Sequence, residues 1–338
     1  MASLRDWLQL FRAHTWPATL IFVFSLYVVG GGQLTDIRFP LAILASLMFH
    51  WFGFGHNSVM DFTAGYDKYD PHKQHFPLVA GRIRLSAAHN LIHTAMIISS
   101  IYILIITLEL AANPTLALAG FALALTFGHA YNDGLGKTTS LKFLPLALYT
   151  IAMASWAYFF VAPAPTRLYW ITLFYVFLVG VYEIAYEGEL KEIKFPGEAN
   201  LLRKLGARVV VQAELEIFVP TTCTRALSYS LFAAKCFVIF WLTLVAGISP
   251  LYLHVLATFV LMVFAGHKTK EITERRYYNH DKDLTNMALV EVFSAFALIT
   301  AIAPLCGWLA AIAVILFSMG YFAGMNRFLW RTVVRPQV

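Results

Sequence analysis

Ten stretches of this chain are almost wholly apolar and recur from end to end: roughly 16–33, 40–58, 86–110, 114–132, 142–162, 167–187, 227–247, 250–267, 286–304 and 307–327. A helix of about 20 apolar residues spans the hydrocarbon of a bilayer. Hydrophobic residues make up 59% of the 338 positions and charged residues 13%, more apolar surface than one soluble core of this size hides. A spanning β-barrel needs short segments of alternating polarity, and these runs are continuous. The expected fold class is therefore all-α, a polytopic transmembrane bundle of nine or ten helices. The first run is long, with no small-residue cleavage site after a short apolar core, so it is expected to stay as a membrane helix.

Lysine and arginine orient the runs. Of the 25 basic residues, 22 fall on one side: near Arg5 and Arg12, in the 59–85 loop, at Lys137 and Lys142, in the 188–226 and 268–285 loops, and at the C-terminal arginines. The other side holds Arg38 and Arg167, and Lys235 lies inside run seven. This asymmetry places both termini and the long loops in the cytoplasm, most simply at the cell membrane. Ten helices keep the C-terminal arginines on that side and nine do not. The net charge of +6 is thereby accounted for by basic loops beside anionic lipid, with no nucleic-acid partner. Cys223, Cys236 and Cys306 are odd in number and lack paired ligand spacing, and read as packing residues.

The two longest polar loops follow runs two and six, and both begin acidic. In the first, Asp61 and Asp67 are six residues apart; in the second, Glu192 and Glu198 are six apart. That spacing points to one membrane domain over 1–338, built of two related halves, about 1–135 and 136–285, plus C-terminal helices. Asn57 and Asp61 stand at i and i+4, one turn apart on a helical face. Gly65 allows a bend that returns Asp67 toward them. Oxygen donors in this pattern suit Mg2+, which takes one or two carboxylates and completes its shell with water and phosphate; they also suit a solvated helix end. In the second loop Glu189 and Glu192 are one turn apart, with Glu183, Glu187 and Glu198 nearby. They can hold a second cation, or Lys191 and Lys194 can neutralise them on an amphipathic helix.

Basic residues accompany both clusters. Lys73, Lys137, Lys194 and Arg203, with Arg12 beside the first run, are candidates to bind the oxygens of a diphosphate, whose growing charge must be neutralised as it leaves. Each also serves as a positive-inside determinant. Tyr131 and Asn132 end run four at the expected cavity mouth, where aromatic faces stabilise a carbocation. His89 and His93 have metal-compatible spacing but no acidic or cysteine neighbour in sequence, and read as packing or hydrogen-bonding residues.

The stretch Asn57-x-x-x-Asp61-x-x-x-Gly65-x-Asp67, followed by Asp70-Pro71-His72-Lys73 and Pro77-Leu78-x-x-Gly81-x-Ile83, resembles the first signature of the UbiA-type intramembrane prenyltransferases. Its glycine resembles the menaquinone-pathway branch. Arg12-x-His14-Thr15-x-Pro17 is similar to the family's first helix, and the segment from Tyr131 to Lys137 to its helix-four exit. The resemblance implies a helical bundle around a central lipid-open cavity, with two acidic motifs binding two Mg2+ ions and a prenyl diphosphate. It implies Asn57, Asp61 and Asp67 as ligands and Lys73 and Lys137 as phosphate holders. The chain departs from the family at the second motif, where Glu189, Glu192 and Glu198 replace aspartates and reach one methylene further.

The function expected is Mg2+-dependent transfer of a polyprenyl group from its diphosphate to a lipophilic acceptor in the membrane: a quinone precursor, a lipid ether or a carotenoid. Two alternatives stay open, an intramembrane terpene cyclase of the same fold and a transporter. The transporter would place charges near the bilayer midplane.

Overall fold

The computed structural model describes residues 2–69, 73–133, 139–194, 199–212, 214–247 and 252–331, with the backbone alone at Tyr66 and Tyr69. A helix occupies each of the ten apolar runs. In chain order they are α1 (Trp16–Val29), α2 (Arg38–Ala64), α3 (Leu85–Leu110), α4 (Pro114–Asp133) and α5 (Phe143–Val161). There follow α6 (Arg167–Lys191), α7 (Thr222–Val245), α8 (Leu253–Thr273), α9 (His280–Ala301) and α10 (Trp308–Trp330). Among the described residues seven of these are long and apolar enough to cross a membrane, and the first apolar helix is shorter. Two others, α4 and α8, are helical throughout but turn polar at their C-terminal ends, at His129–Asp133 and His267–Glu271.

Side-chain oxygens start several helices where the apolar pattern begins. Thr166 accepts from the Tyr169 amide at α6, Thr221 from Thr224 at α7, and Asn279 from Lys282 at α9, each satisfying an otherwise unpaired donor. Every helix packs on its sequence neighbour from α1 to α9, and α9 returns to α1. Thirteen of the fourteen residues of α1 are buried, as a helix apolar on all sides must be; it touches α2, α5, α6 and α9. At the other extreme only four of the 23 residues of α10 are buried, and it exposes Leu309, Ile312, Leu316 and Phe317. On α3, Ile97, Ile98, Ile101 and Leu104 are likewise exposed. Such bands aggregate in water and are ordinary contact surface in lipid, so this is an integral membrane protein.

Because hydrocarbon offers no partners, buried polar groups bond between helices. The Trp156 indole donates to Thr107 Oγ1 at 2.8 Å, Tyr149 to the Phe49 carbonyl at 2.6 Å, and Tyr175 to the Ser294 carbonyl at 2.8 Å. Two helices carry a π turn: Trp51–Gly55 in α2 and Glu183–Gly188 in α6. Each lies next to an acidic cluster.

The basic 188–226 segment is more ordered than a polar loop. It contains an antiparallel hairpin, β1 (Arg208–Gln212) and β2 (Leu215–Val219), pairing Arg208 with Val219. Its Val-Val-Val and Ile-Phe-Val cores are strand-forming, as β-branched and aromatic side chains are. Hydrogen bonds from the Phe218 amide to the Arg276 carbonyl and from the Tyr278 amide to Glu216 dock the hairpin on the segment before α9.

Helices α4 and α5 approach most closely at Gly120, where a Cβ would lie 3.0 Å from the Trp156 nitrogen and 3.1 Å from the Ala152 carbonyl. Both are backbone atoms and cannot turn aside. Gly120→Leu is expected to destabilise the protein by about 1–3 kcal/mol, seen as a lower melting temperature in detergent. Gly320→Leu, where nothing lies within 4 Å, should leave it unchanged. Equal melting of the two variants would contradict this account of the packing.

Candidate active site

Five residues expected to act together converge where α2 ends. The π turn at Trp51–Gly55 leads into the last stretch of α2, on which Asn57 Nδ2 donates to Asp61 Oδ2 at 2.8 Å. Gly65, at φ 89°, closes the helix in a conformation that only glycine adopts freely. The chain re-enters a short helix, Tyr66–Tyr69, and Asp67 comes back beside the first carboxylate. Lys73 Nζ lies 2.7 Å from Asp67 Oδ1.

Arg12 arrives from the opposite direction. It breaks the chain between the short helix Leu4–Leu10 and α1, in a left-handed conformation at φ 47°, which an arginine adopts only when its surroundings hold it. Here the Thr15 hydroxyl donates to its carbonyl at 2.9 Å, and His50 Nε2 lies 3.1 Å from the same oxygen. The guanidinium is thereby set 3.6 Å from Asp61 Oδ2. All five side chains are buried. Burial lifts the Asp67 carboxyl above its ordinary range; Lys73 draws it down and the Asp61 carboxylate pushes it up. For Lys73, burial opposes the ammonium, but Asp67 and Asp61 outweigh it and hold it above the usual lysine value.

The second cluster forms where α6 ends, beyond its own π turn. Glu189 is wholly buried. Its Oε2 accepts from the Leu201 amide at 2.6 Å, and Asn200 Nδ2 donates to its carbonyl at 2.6 Å. Lys142, just before α5, lies 3.4 Å from Glu189 Oε1 and pairs closely with Glu192. Burial works against that ammonium too, and Glu192 with Glu189 overcomes it and raises the lysine. Tyr131, half-buried at the end of α4, acts on Lys142 as well. On the same turn Asn132 Nδ2 is 3.4 Å from the Gly53 carbonyl of α2, so the end of α4 stands between the two clusters.

Each acidic patch has its own cations. Lys194, expected at the substrate, is instead committed to the hairpin: it pairs with Glu216 and lies 5.4 Å from the Tyr278 ring centroid. Arg203 is half-buried on the short helix Leu201–Lys204, its amide received by Asn200 Oδ1 at 3.0 Å. Lys137 and Glu198 lie outside the described residues, as do Asp70, Pro71 and His72.

Two groupings were not foreseen from sequence. Lys142 had entered only as a marker of orientation, yet it is the cation of the second patch. Deeper in the bundle, Lys235 of α7 lies within electrostatic reach of Glu187, Glu291 and Glu183, with its ammonium 4.5 Å from the Tyr182 ring centroid. Ionisable groups inside a membrane bundle face its interior. The charges of this chain are thus not confined to helix ends, and a lysine in the middle of run seven was the visible signal.

No protein-family model and no curated protein matches the sequence. In three dimensions the chain is similar to a UbiA homolog from Archaeoglobus fulgidus, solved bound to GPP and Mg2+ and bound to DMAPP and Mg2+. In each case the TM-score is 0.61 at 14% identity, over 92% of this chain and 99% of that one. It is also similar to the apo structure of a UbiA homolog from Aeropyrum pernix K1, with TM-score 0.56 and 16% identity over 89% and 98% of the two chains. The chain has the UbiA-type fold, as its first motif led one to expect.

Lys142→Ala would leave Glu189 buried without its cation, and breaking a buried pair costs about 3–5 kcal/mol. A correspondingly lower melting temperature in detergent is expected, with partial recovery when Glu189→Gln is added. No loss in the single variant would mean that Lys142 does not hold the second patch.

Proposed function

We propose that this protein is an intramembrane prenyltransferase, moving a polyprenyl group from a prenyl diphosphate to a lipophilic acceptor with the help of Mg2+. The observation that carries the reading is the first cluster: two carboxylates, an amide and two cations, all buried at the end of a membrane helix, with Asn57 and Arg12 on Asp61 and Lys73 on Asp67. The same fold holds a short prenyl diphosphate and Mg2+ in the Archaeoglobus homolog.

The donor set suits the metal. Asn57, Asp61 and Asp67 offer hard oxygens, and the upward push on the Asp67 carboxyl from burial and from Asp61 is what a divalent ion relieves. Glu189 and Glu192 are the candidates for a second ion. When bound, Mg2+ supplies charge neutralisation for the departing diphosphate. Arg12 and Lys73, positioned by the carboxylates they now face, are the cations that turn to the diphosphate oxygens, and Lys137 joins them on the family resemblance. Heterolysis of the allylic C–O bond sends the electron pair out with the diphosphate and leaves an allylic cation. Apolar helix walls keep water from that cation, and Tyr131 at the mouth offers an aromatic face. The acceptor's nucleophilic atom then forms the new bond and loses its proton.

Quinone precursors, lipid ethers and carotenoids are acceptors of the required greasy, nucleophilic class. The basic side of the chain supports cytoplasmic termini and a cytoplasmic mouth, at the cell membrane. The matching π turns in α2 and α6 support descent of the two halves from one unit.

Purified protein given geranylgeranyl diphosphate and Mg2+ should release pyrophosphate when supplied with the right acceptor. Asp61→Ala should lower the rate by roughly 10²–10³-fold or more while eluting as a folded species in detergent. Release without an acceptor would move the reading to cyclisation. No release with any prenyl length or metal, or full activity in Asp61→Ala, would overturn it.

A further inference from the structure

At the corner where α2 meets α4, His56, His129 and Asp133 come together. His56 Nε2 lies 3.1 Å from Asp133 Oδ1, and His129 Nδ1 lies 2.8 Å from Asp133 Oδ2. The two imidazole centroids are 5.1 Å apart and nearly perpendicular, at 73°. One ligand atom from each residue falls within 4.8 Å of the others, and this is the one such group of three among the described residues. His129 and Asp133 are at i and i+4 of one helix, a spacing that stacks both on one face, and His56 comes from another. The stacked pair His89 and His93 of α3 acts on His56 electrostatically from a third helix.

We infer that His56, His129 and Asp133 form a binding site for a divalent transition metal of the Zn2+ or Co2+ class. Two imidazole nitrogens and one carboxylate are the donors such ions prefer, whereas Mg2+ selects oxygen alone. Ligands about 2.0–2.2 Å from a tetrahedral ion lie roughly 3.3 Å from each other, close to the 3.1 and 2.8 Å between each imidazole and the Asp133 carboxylate. Three protein ligands leave a fourth position, and the exposure of His129 and Asp133, 45% and 43% of their side chains, opens it to the aqueous side. The neighbour of His56 is arranged accordingly. Asn132 is buried with its Oδ1 unpartnered, while its Nδ2 makes two long 3.4 Å contacts, to His56 Nδ1 and to the Gly53 carbonyl. Turned end for end, the amide would accept a hydrogen bond from Nδ1 and leave the Nε2 lone pair for the metal, at the cost of the long Gly53 contact.

The site is separate from the carboxylate cluster in its ligands and in its metal preference, and it does not rest on the prenyltransferase reading. Its position gives it a role: His56 immediately precedes Asn57, so a bound ion clasps the motif-bearing end of α2 to the end of α4. The competing account is that Asp133 simply accepts hydrogen bonds from both imidazoles, with no ion.

The test is titration of the purified full-length protein in detergent with Co2+, in excess Mg2+, followed by the visible d–d absorption of the ion. One equivalent is expected to bind with the signature of low-coordinate Co2+. Outer-shell partners alone are worth roughly 10–100-fold in metal affinity, so His129→Gln should weaken binding at least tenfold, and Asp61→Asn should leave it intact. Zn2+ should raise the melting temperature of the unaltered protein and not that of His129→Gln. His56→Gln is the companion variant; should it fail to fold, His129→Gln, altered at a half-exposed position, decides alone. Absence of Co2+ absorption, undiminished binding in His129→Gln, or loss of binding in Asp61→Asn would each overturn the assignment. Failure of pyrophosphate release in the enzymatic assay would not touch it.

Discussion

A carboxylate taken out of water must meet a cation or a set of donors, and the architecture around the two helix ends follows from that requirement. Asp61 faces Arg12, Asp67 faces Lys73, and Glu189 faces Lys142. In every case the cation comes from a segment other than the helix that carries the acid. Arg12 requires the left-handed break ahead of α1, Lys73 requires the chain after Gly65 to fold back, and Lys142 requires α5 to begin beside α6. The ion pairs therefore join segments that apolar packing alone would leave free to slide, and they fix the helix ends to which any ligand must come.

Much of this was legible beforehand, and the reason differs with the feature. The ten helices were readable because a continuous apolar run of bilayer length has only one secondary structure available to it in lipid. Asn57, Asp61 and Asp67 were readable because a one-turn spacing followed by glycine constrains where the next carboxylate can go. The end of α2 was placed too early, at about residue 58, because Asp61 read as the start of a polar loop; the helix runs on to Ala64 with the Asp61 side chain in the cluster. The hairpin at 208–219 was hidden by the charge of its surroundings, although its β-branched residues were in plain view. Lys142 was missed for a more general reason: a lysine at a helix end satisfies the positive-inside rule whether or not it faces an acid. The partners of Lys235 were beyond reach, because only the packing of α6, α7 and α9 brings Glu187 and Glu291 to it.

The two π turns bear on how such clusters arise. An additional residue in one turn rotates every later side chain about the helix axis, so a helix can pack its apolar face up to the turn and present a different face beyond it. In α2 the turn at Trp51–Gly55 immediately precedes His56 and Asn57; in α6 the turn at Glu183–Gly188 immediately precedes Glu189. The same device at the same place in helices four apart lets each stay buried in the bundle and still aim its polar end inward.

The two patches are nevertheless unequal. Glu189 is tied to several segments at once: one carboxylate oxygen takes a backbone amide, the other lies 3.4 Å from Lys142, and its carbonyl receives Asn200. Removing it from those partners to serve an incoming ligand would break several buried contacts together and release the 199–204 segment. The longer glutamate side chain is what lets this carboxylate reach the Leu201 amide. Asp61 lies 3.6 Å from Arg12 and accepts an amide hydrogen bond from Asn57 on its own helix. A cation held there would neutralise Asp61 in place of Arg12 and leave the guanidinium for an anion. On the proposed reading, a metal–diphosphate pair docks at the end of α2, while the glutamate patch holds the 199–204 segment against the end of α6 and is the candidate for a second ion.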